Sequence, residues 1–254
     1  DLPGYYETHA LFLFTQKEYD AGLQTRRRSI DLQRSFLKRD DVEGAALKIA
    51  KLEFEYAIAK AVAGKADTIL ADIDAYFAQL EASILENPED GDLIIQHPVD
   101  TNKVAYLFVR DTYGIKSQEH ALAGFKRSEQ FIQSLINPDK PTHDQIHGLY
   151  YVSAYRGDIY NALFDKQNAS AAYKKSAHIA LTIPPVDDEP NVVRLSQLAI
   201  FYRIGNLGID ESEQAIIDGL ALAKELDKNK QLTTNYQGVL NELIIMAKEY
   251  NIEH

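Results

Sequence analysis

Apolar positions recur every three to four residues along most of the chain, and no segment alternates convincingly between apolar and polar, so the pattern predicts an all-α fold. Tyr6 to Thr15 carries Ala10, Leu11, Leu13 and Phe14; a polar break at Gln16-Lys17-Glu18 separates it from a helical stretch from Tyr19 to Lys38, and the two read as a hairpin. Asp40 and Asp41 are placed to cap the next helix, since aspartate accepts hydrogen bonds from free first-turn amides. In that helix Ala45, Leu47, Ile49, Leu52, Phe54, Tyr56, Ile58 and Val62 recur too often for a narrow stripe and predict burial on more than one side. Gly64 is a stop, and Asp67 a cap for a helix from Thr68 to Glu86 with Ile69, Ile73, Tyr76, Phe77, Leu80 and Ile84 on one face.

Asn87 to Asp92 is turn chemistry, and Leu93 to Asp100, which contains Pro98, reads as a connector between two halves. Further helices are predicted over Asn102–Tyr113, Ser117–Ile136, Thr142–Phe164 and Asn168–Thr182. Three prolines make Pro184 to Pro190 a loop. Helices then run from Asn191 to Ile204, from Asp210 to Leu226 with Asp210 and Glu213 as a capping-box pair, and from Asn229 to Tyr250.

Two segments, His120 to Ser128 and Asn168 to Ser176, repeat one pattern 48 residues apart: a small residue, an aromatic four later, two cations, then serine. Repeats of this length built from helix pairs bury their apolar faces against each other. The stretch Tyr150 to Ile183 resembles a tetratricopeptide repeat: Gly157 and Tyr160 fall where that family places a small residue and a tyrosine on the first helix, and Ala169, Tyr173 and Ser176 match the second. Ala121, Phe125 and Ser128 repeat the second-helix half, and Ala215, Gly219 and Leu222 do so more weakly. The sequence departs from the family at the signature tryptophan (Ser153), the leucine before the glycine (Arg156) and the terminal proline (Leu181). The resemblance implies antiparallel hairpins stacked as a right-handed superhelix in one domain, with divergent helices over 1–92, recognisable repeats over 100–226 and a capping helix over 229–250. It also implies a concave surface, lined by the first helix of each repeat, that meets a peptide.

Composition narrows the possibilities. With 254 residues and 45% hydrophobic content the chain can build a sizeable core, and its net charge of −11, pI near 5.1, disfavours general attraction to nucleic acid or anionic lipid. Without cysteine there is no disulfide, thiolate metal site or thiol nucleophile, though this leaves cytoplasm and periplasm both open, with cytoplasm the expectation. No apolar run reaches the roughly 18 residues of a membrane span, and no signal peptide is recognisable. The chain starts at Asp1 and its single methionine is Met246, so a processed protein or a fragment of a larger one is expected.

If the first helices face a peptide, their candidate binding residues are Tyr151, Asp158 and Asn161, faced by Arg194, Gln197 and Phe201, with Tyr106 and Arg110 extending the row. Amides and guanidinium groups hold peptide backbone or carboxylate, and aromatics supply apolar anchors. The competing reading makes Tyr151 and Phe201 interhelix core. Arg26-Arg27-Arg28, with Arg34, Lys38 and Arg39, is the densest positive patch, but three successive arginines point in different directions on a helix, and a solvated face is the expectation. His143 and His147 share a helix face, yet Asp144 stands where a zinc-protease helix needs glutamate and no third ligand stands out, so no metal or other cofactor is expected. Nor is there a phosphate loop, a serine elbow or a singled-out acid/base pair, and the expectation is a non-enzyme.

The sequence therefore points to an adaptor or regulatory module that binds a protein or peptide. The alternative is the sensor or ligand-binding region of a larger bacterial signalling or transcription-regulating protein. The apolar final helix, with Val239, Leu240, Leu243, Ile244, Ile245 and Met246, is either a packed cap or a homodimer surface.

Overall fold

In the computed structural model, which describes residues 2–40, 42–65, 69–109, 117–187 and 190–252, every regular element is a helix. In chain order these are α1 (Leu2–Thr15), α2 (Tyr19–Arg39), α3 (Ala45–Val62), α4 (Ile69–Glu86), α5 (Gly91–Val109), α6 (Gln118–Leu135), α7 (His143–Ala162), α8 (Lys166–Ala180), α9 (Val192–Gly205), α10 (Ser212–Lys228) and α11 (Thr234–Glu249). Among the described residues, consecutive helices pack against one another as hairpins within α1–α4 and within α7–α11. The described residues fall into two compact units, Asp1–Leu93 with Lys103–Ala121, and Ile94–Asn102 with Leu122–His254. None of the described helices is long and apolar enough to cross a membrane.

In the first unit, Phe54 of α3 is fully buried and stacks on Tyr76 of α4 at a centroid separation of 4.3 Å, with Phe77 edge-on to it at 6.1 Å. Burying a side chain of this size contributes about 1.5–3 kcal/mol, and the aromatic geometry about 0.5–1.5 kcal/mol more. The basic run stays solvated only in part: Arg28, Lys38 and Arg39 are exposed, but others of the run pair with the next helix. Arg27 and Arg34, two helical turns apart on α2, both bond Glu53 of α3, with Arg27 Nη1 2.7 Å from Glu53 Oε2. Arg26 reaches Glu55 at 4.0 Å. Arg26, Arg27 and Arg34 thus find carboxylates because a second helix lies alongside.

Several local expectations are corrected. Leu93 to Asp100 is no connector: α5 runs straight through Pro98, which is buried two turns from its start. An interior proline costs about 3 kcal/mol, and here it sits among Ile94, His97, Asp100, Thr101 and Val104, all buried, while Asp90 Oδ1 accepts the Leu93 amide at the helix start. Asp40 ends α2 rather than opening α3, its amide donating to Phe36 O; Gly44, with φ +68°, stands at the α3 N-cap. Asp41 and Asp67, the other expected caps, lie outside the described residues. Asp210 and Glu213 form no capping box. The buried Ser212 hydroxyl instead accepts from Ile209 N and donates to Ile204 O, tying the α9–α10 turn together. The last helix starts at Thr234, five residues later than its apolar pattern suggests, because Lys230 adopts φ +56° and closes α10.

In the second unit the 48-residue repeat acquires a physical meaning. Phe125 of α6 and Tyr173 of α8 are equally buried, at 0% and 1% exposure. The following serines both anchor their helix to the preceding one: Ser128 Oγ hydrogen bonds His97 Nδ1 of α5 at 3.0 Å, and Ser176 Oγ donates to Tyr150 O of α7 at 2.9 Å. Gly157 lies directly under the Tyr173 ring. The final helix buries Leu240, Leu243, Met246 and Ala247 against α9 and α10, while Ile245 remains exposed.

Candidate functional site

The α7 helix starts with a complete capping box: Thr142 Oγ1 accepts the Gln145 amide and Gln145 Oε1 accepts the Thr142 amide. This fixes the helix register from its first turn, and one face then carries rings at every fourth residue. His143 and His147 meet edge-on at 5.3 Å, His147 stacks on Tyr151 at 4.6 Å, and Tyr151 stacks on Tyr155 at 5.4 Å. The spacing of four along a helix makes such neighbours inevitable; that all four are rings makes them a continuous aromatic strip.

The middle of this strip forms one wall of a cavity of about 510 Å³, within the range of 300–1,000 Å³ usual for ligand sites. His147, Tyr150 and Tyr151 come from α7; Asn191, Ser196, Ala199 and Arg203 come from the start and one face of α9; Gln231, Thr233, Asn235 and Tyr236 close the far side from the α10–α11 loop and the first turn of α11. Tyr150 is a rigid part of the wall, because its backbone carbonyl is held by Ser176 of α8 and its hydroxyl donates to Ser196 O of α9 at 3.3 Å.

No carboxylate is found among the described lining residues, and Arg203 is their one permanent charge. Asp158 of α7 grips its Nε at 2.9 Å and Nη2 at 3.4 Å, and Asp158 also accepts the Tyr173 hydroxyl at 2.8 Å. Burial works to lower the Arg203 pKa, but the Asp158 charge and hydrogen bonds outweigh it and the net shift is upward. Burial pushes the Tyr150 hydroxyl well up, so that it remains a protonated donor, and raises that of Tyr155 as well. Burial, helped by the neighbouring His143, lowers His147 to about 4, leaving its imidazole neutral at pH 7. The cavity thus offers ring faces, amides, hydroxyls and a guanidinium whose Nη1 is left outside the ion pair with Asp158.

Of the residues singled out in the sequence, Tyr151 lines the cavity, and Arg194 lies beside it, bonding Glu225 at 2.8 Å and the lining residue Gln231 at 3.4 Å. Asp158 acts one step behind the wall, through Arg203. Asn161 and Gln197 are half-buried on α7 and α9 and are not among the lining residues, and Phe201 packs towards Gly219 of α10, in the interhelix position. Tyr106 is half-buried on α5 in the first unit, and Arg110 lies outside the described residues. His143 turns its Nδ1 to Pro184 O at 2.8 Å, and no group of three metal-ligating side chains occurs among the described residues.

Arg203, Tyr236, Gln231 and Asn235 were not singled out by sequence reasoning. One signal was available for Arg203: the small residues Ser196 and Ala199 precede it at three- and four-residue spacing, marking a face with room beside it. In comparison with known proteins, the chain matches no family model, no curated protein and no solved structure.

Proposed function

We propose that this chain is a tetratricopeptide-like interaction module that binds a peptide segment of a partner protein in the cavity between α7, α9 and α11, and that it does so without a catalytic step. One observation carries the reading: the cavity draws its walls from the first helices of successive hairpins and from the helix that follows them, the elements that meet a ligand in a helical-repeat array. Its chemistry suits a peptide. Ring faces receive apolar side chains, while Asn191, Gln231 and Asn235 each present both a donor and an acceptor to a backbone that carries both. With Arg203 balanced by Asp158 the site has little net charge, which favours an extended neutral segment over a strongly charged one.

A random-peptide display selection against the purified chain tests this reading. Enriched peptides are expected to bind the wild type saturably and to lose about tenfold or more in affinity, roughly 1.4 kcal/mol, on Tyr151→Ala or Asn235→Ala, with folding checked by circular dichroism. Failure to enrich any sequence, or affinities unchanged in both variants, would remove the cavity from the proposal.

A further inference from the structure

A second feature of the chain is left unexplained by that cavity. In the first unit, a groove of about 460 Å³ lies between α2 and α3, floored by Phe36, Leu37 and Leu52 and rimmed by Lys48 and Lys51. Phe36 is 40% exposed, and the Arg39 guanidinium sits 5.0 Å above its ring. We propose that this groove is a docking surface for an acidic amphipathic helix of a partner protein, independent of the peptide cavity in the second unit.

Charge selects this occupant. Asp31, Glu53 and Asp40 are engaged by Arg27, Arg34 and Arg39, and the carboxylate on the groove wall, Glu55, is flanked by Arg26 at 4.0 Å and Lys103 at 3.9 Å. Among the described residues no carboxylate pairs with Lys48 or Lys51; Lys48 Nζ spends one donor on the Glu43 backbone carbonyl at 3.0 Å. A protein of net charge −11 therefore carries an apolar groove rimmed by two lysines that no described carboxylate pairs. Apolar anchors with acidic flanks complement it, and the electrostatic match sets orientation and encounter rate.

The α3 side of the groove, Lys48 to Glu55, spans two helical turns, about 10 Å. That length accepts a short helix with apolar anchors at i, i+3 and i+7, the spacing by which helices seat in grooves. A second copy fits less well, because a two-fold pairing through this groove would set lysines against lysines between two acidic chains.

The probe is a fluorescently labelled synthetic helix with leucines at those spacings and glutamates between them, set against a control with lysines in place of the glutamates. The acidic peptide is expected to bind saturably, to weaken about tenfold or more in a Lys48→Glu/Lys51→Glu double variant, and to bind Tyr151→Ala like the wild type; the basic control is expected not to bind. Both lysines are exposed, so the double variant is expected to melt within a few degrees of the wild type. Absence of saturable binding, or equal affinity for the charge-reversed variant, overturns the proposal. So does a concentration-dependent dimer in sedimentation velocity that the double variant abolishes, which would make a second copy the occupant.

Discussion

Gly157 of α7 lies so close beneath Tyr173 of α8 that a Cβ at position 157 would stand 2.5 Å from Cδ1 and 3.0 Å from Cζ of the ring. The ring cannot swing aside, since it is 1% exposed and its hydroxyl is held by Asp158. Alanine improves intrinsic helix propensity by about 1 kcal/mol, whereas forcing a methyl into a filled core costs about 1–3 kcal/mol and more when neighbours are fixed. Gly157→Ala is therefore expected to cost a net ~1–2 kcal/mol of stability and so to lower the urea midpoint. Gly238→Ala on α11, where a Cβ meets nothing within 4 Å, provides the contrast and is expected to raise it.

Asp158 joins three elements, accepting from Tyr173 of α8 and from Arg203 of α9 while belonging to α7. Its side chain and that of Arg203 are 19% and 25% exposed, between a surface pair and a fully buried one. Asp158→Asn is expected to cost roughly 2 kcal/mol, less than the 3–5 of a fully buried pair, and Tyr173→Phe about 1–2 kcal/mol. Because the two changes break one network, the double variant is expected to fall short of their sum, as chemical denaturation of all four proteins would show.

The lowered pKa of His147 gives stability a pH dependence with a definite sign. Its folded value of about 4 lies below the ordinary 6.5, so between these values the unfolded chain holds the extra proton. Stability from this group is then full above about pH 6.5 and declines as pH falls towards 4, by an upper bound of roughly 3 kcal/mol given its partial exposure. His147→Gln is expected to flatten the fall in Tm between about pH 6.5 and 5, before the carboxylates begin to titrate. An unchanged slope would mean that the ring is hydrated in the folded state.

Phe164 ends α7 with φ +61° and an 87% exposed ring. Its amide donates to Asn161 O and that of Asp165 to Tyr160 O, both at 2.9 Å, closing the helix with a left-handed residue. A side chain in this conformation costs about 1–2 kcal/mol, and the exposed ring recovers little by burial. Phe164→Gly keeps both hydrogen bonds and is expected to raise stability by up to ~1 kcal/mol in thermal and chemical melts.

Long-range periodicity made most of the helices legible, and the stops at Lys17 and Gly64 could be placed because chain breaks depend on local chemistry. In the repeated motif both serines anchor their helix to the one before it, but by different bonds, Ser128 to the His97 ring and Ser176 to the Tyr150 carbonyl. Pro98 misled because proline reports a local cost, whereas the burial of its neighbours on α5 is a tertiary gain that leaves no local mark. Asp210 and Glu213 had the spacing of a capping box, but the buried Ser212 hydroxyl took over the turn. Tyr151 and His147 could be placed on one helix face, yet the opposite wall comes from Arg203 and Tyr236, dozens of residues away, and no pattern along the chain joins them.

The cavity walls come from α7, α9 and the approach to α11, so no single hairpin contains this cavity. The pocket exists only when all three segments have docked, which makes occupancy a reporter of the assembled unit. Any molecule selective for it must stabilise the folded chain by mass action, by about 2.7 kcal/mol at a free concentration of roughly 100 times Kd, and so raise the melting temperature. A thermal-shift screen can therefore find the occupant with no assay of what binding does, and a hit that loses its shift in Tyr151→Ala identifies the pocket at the same time.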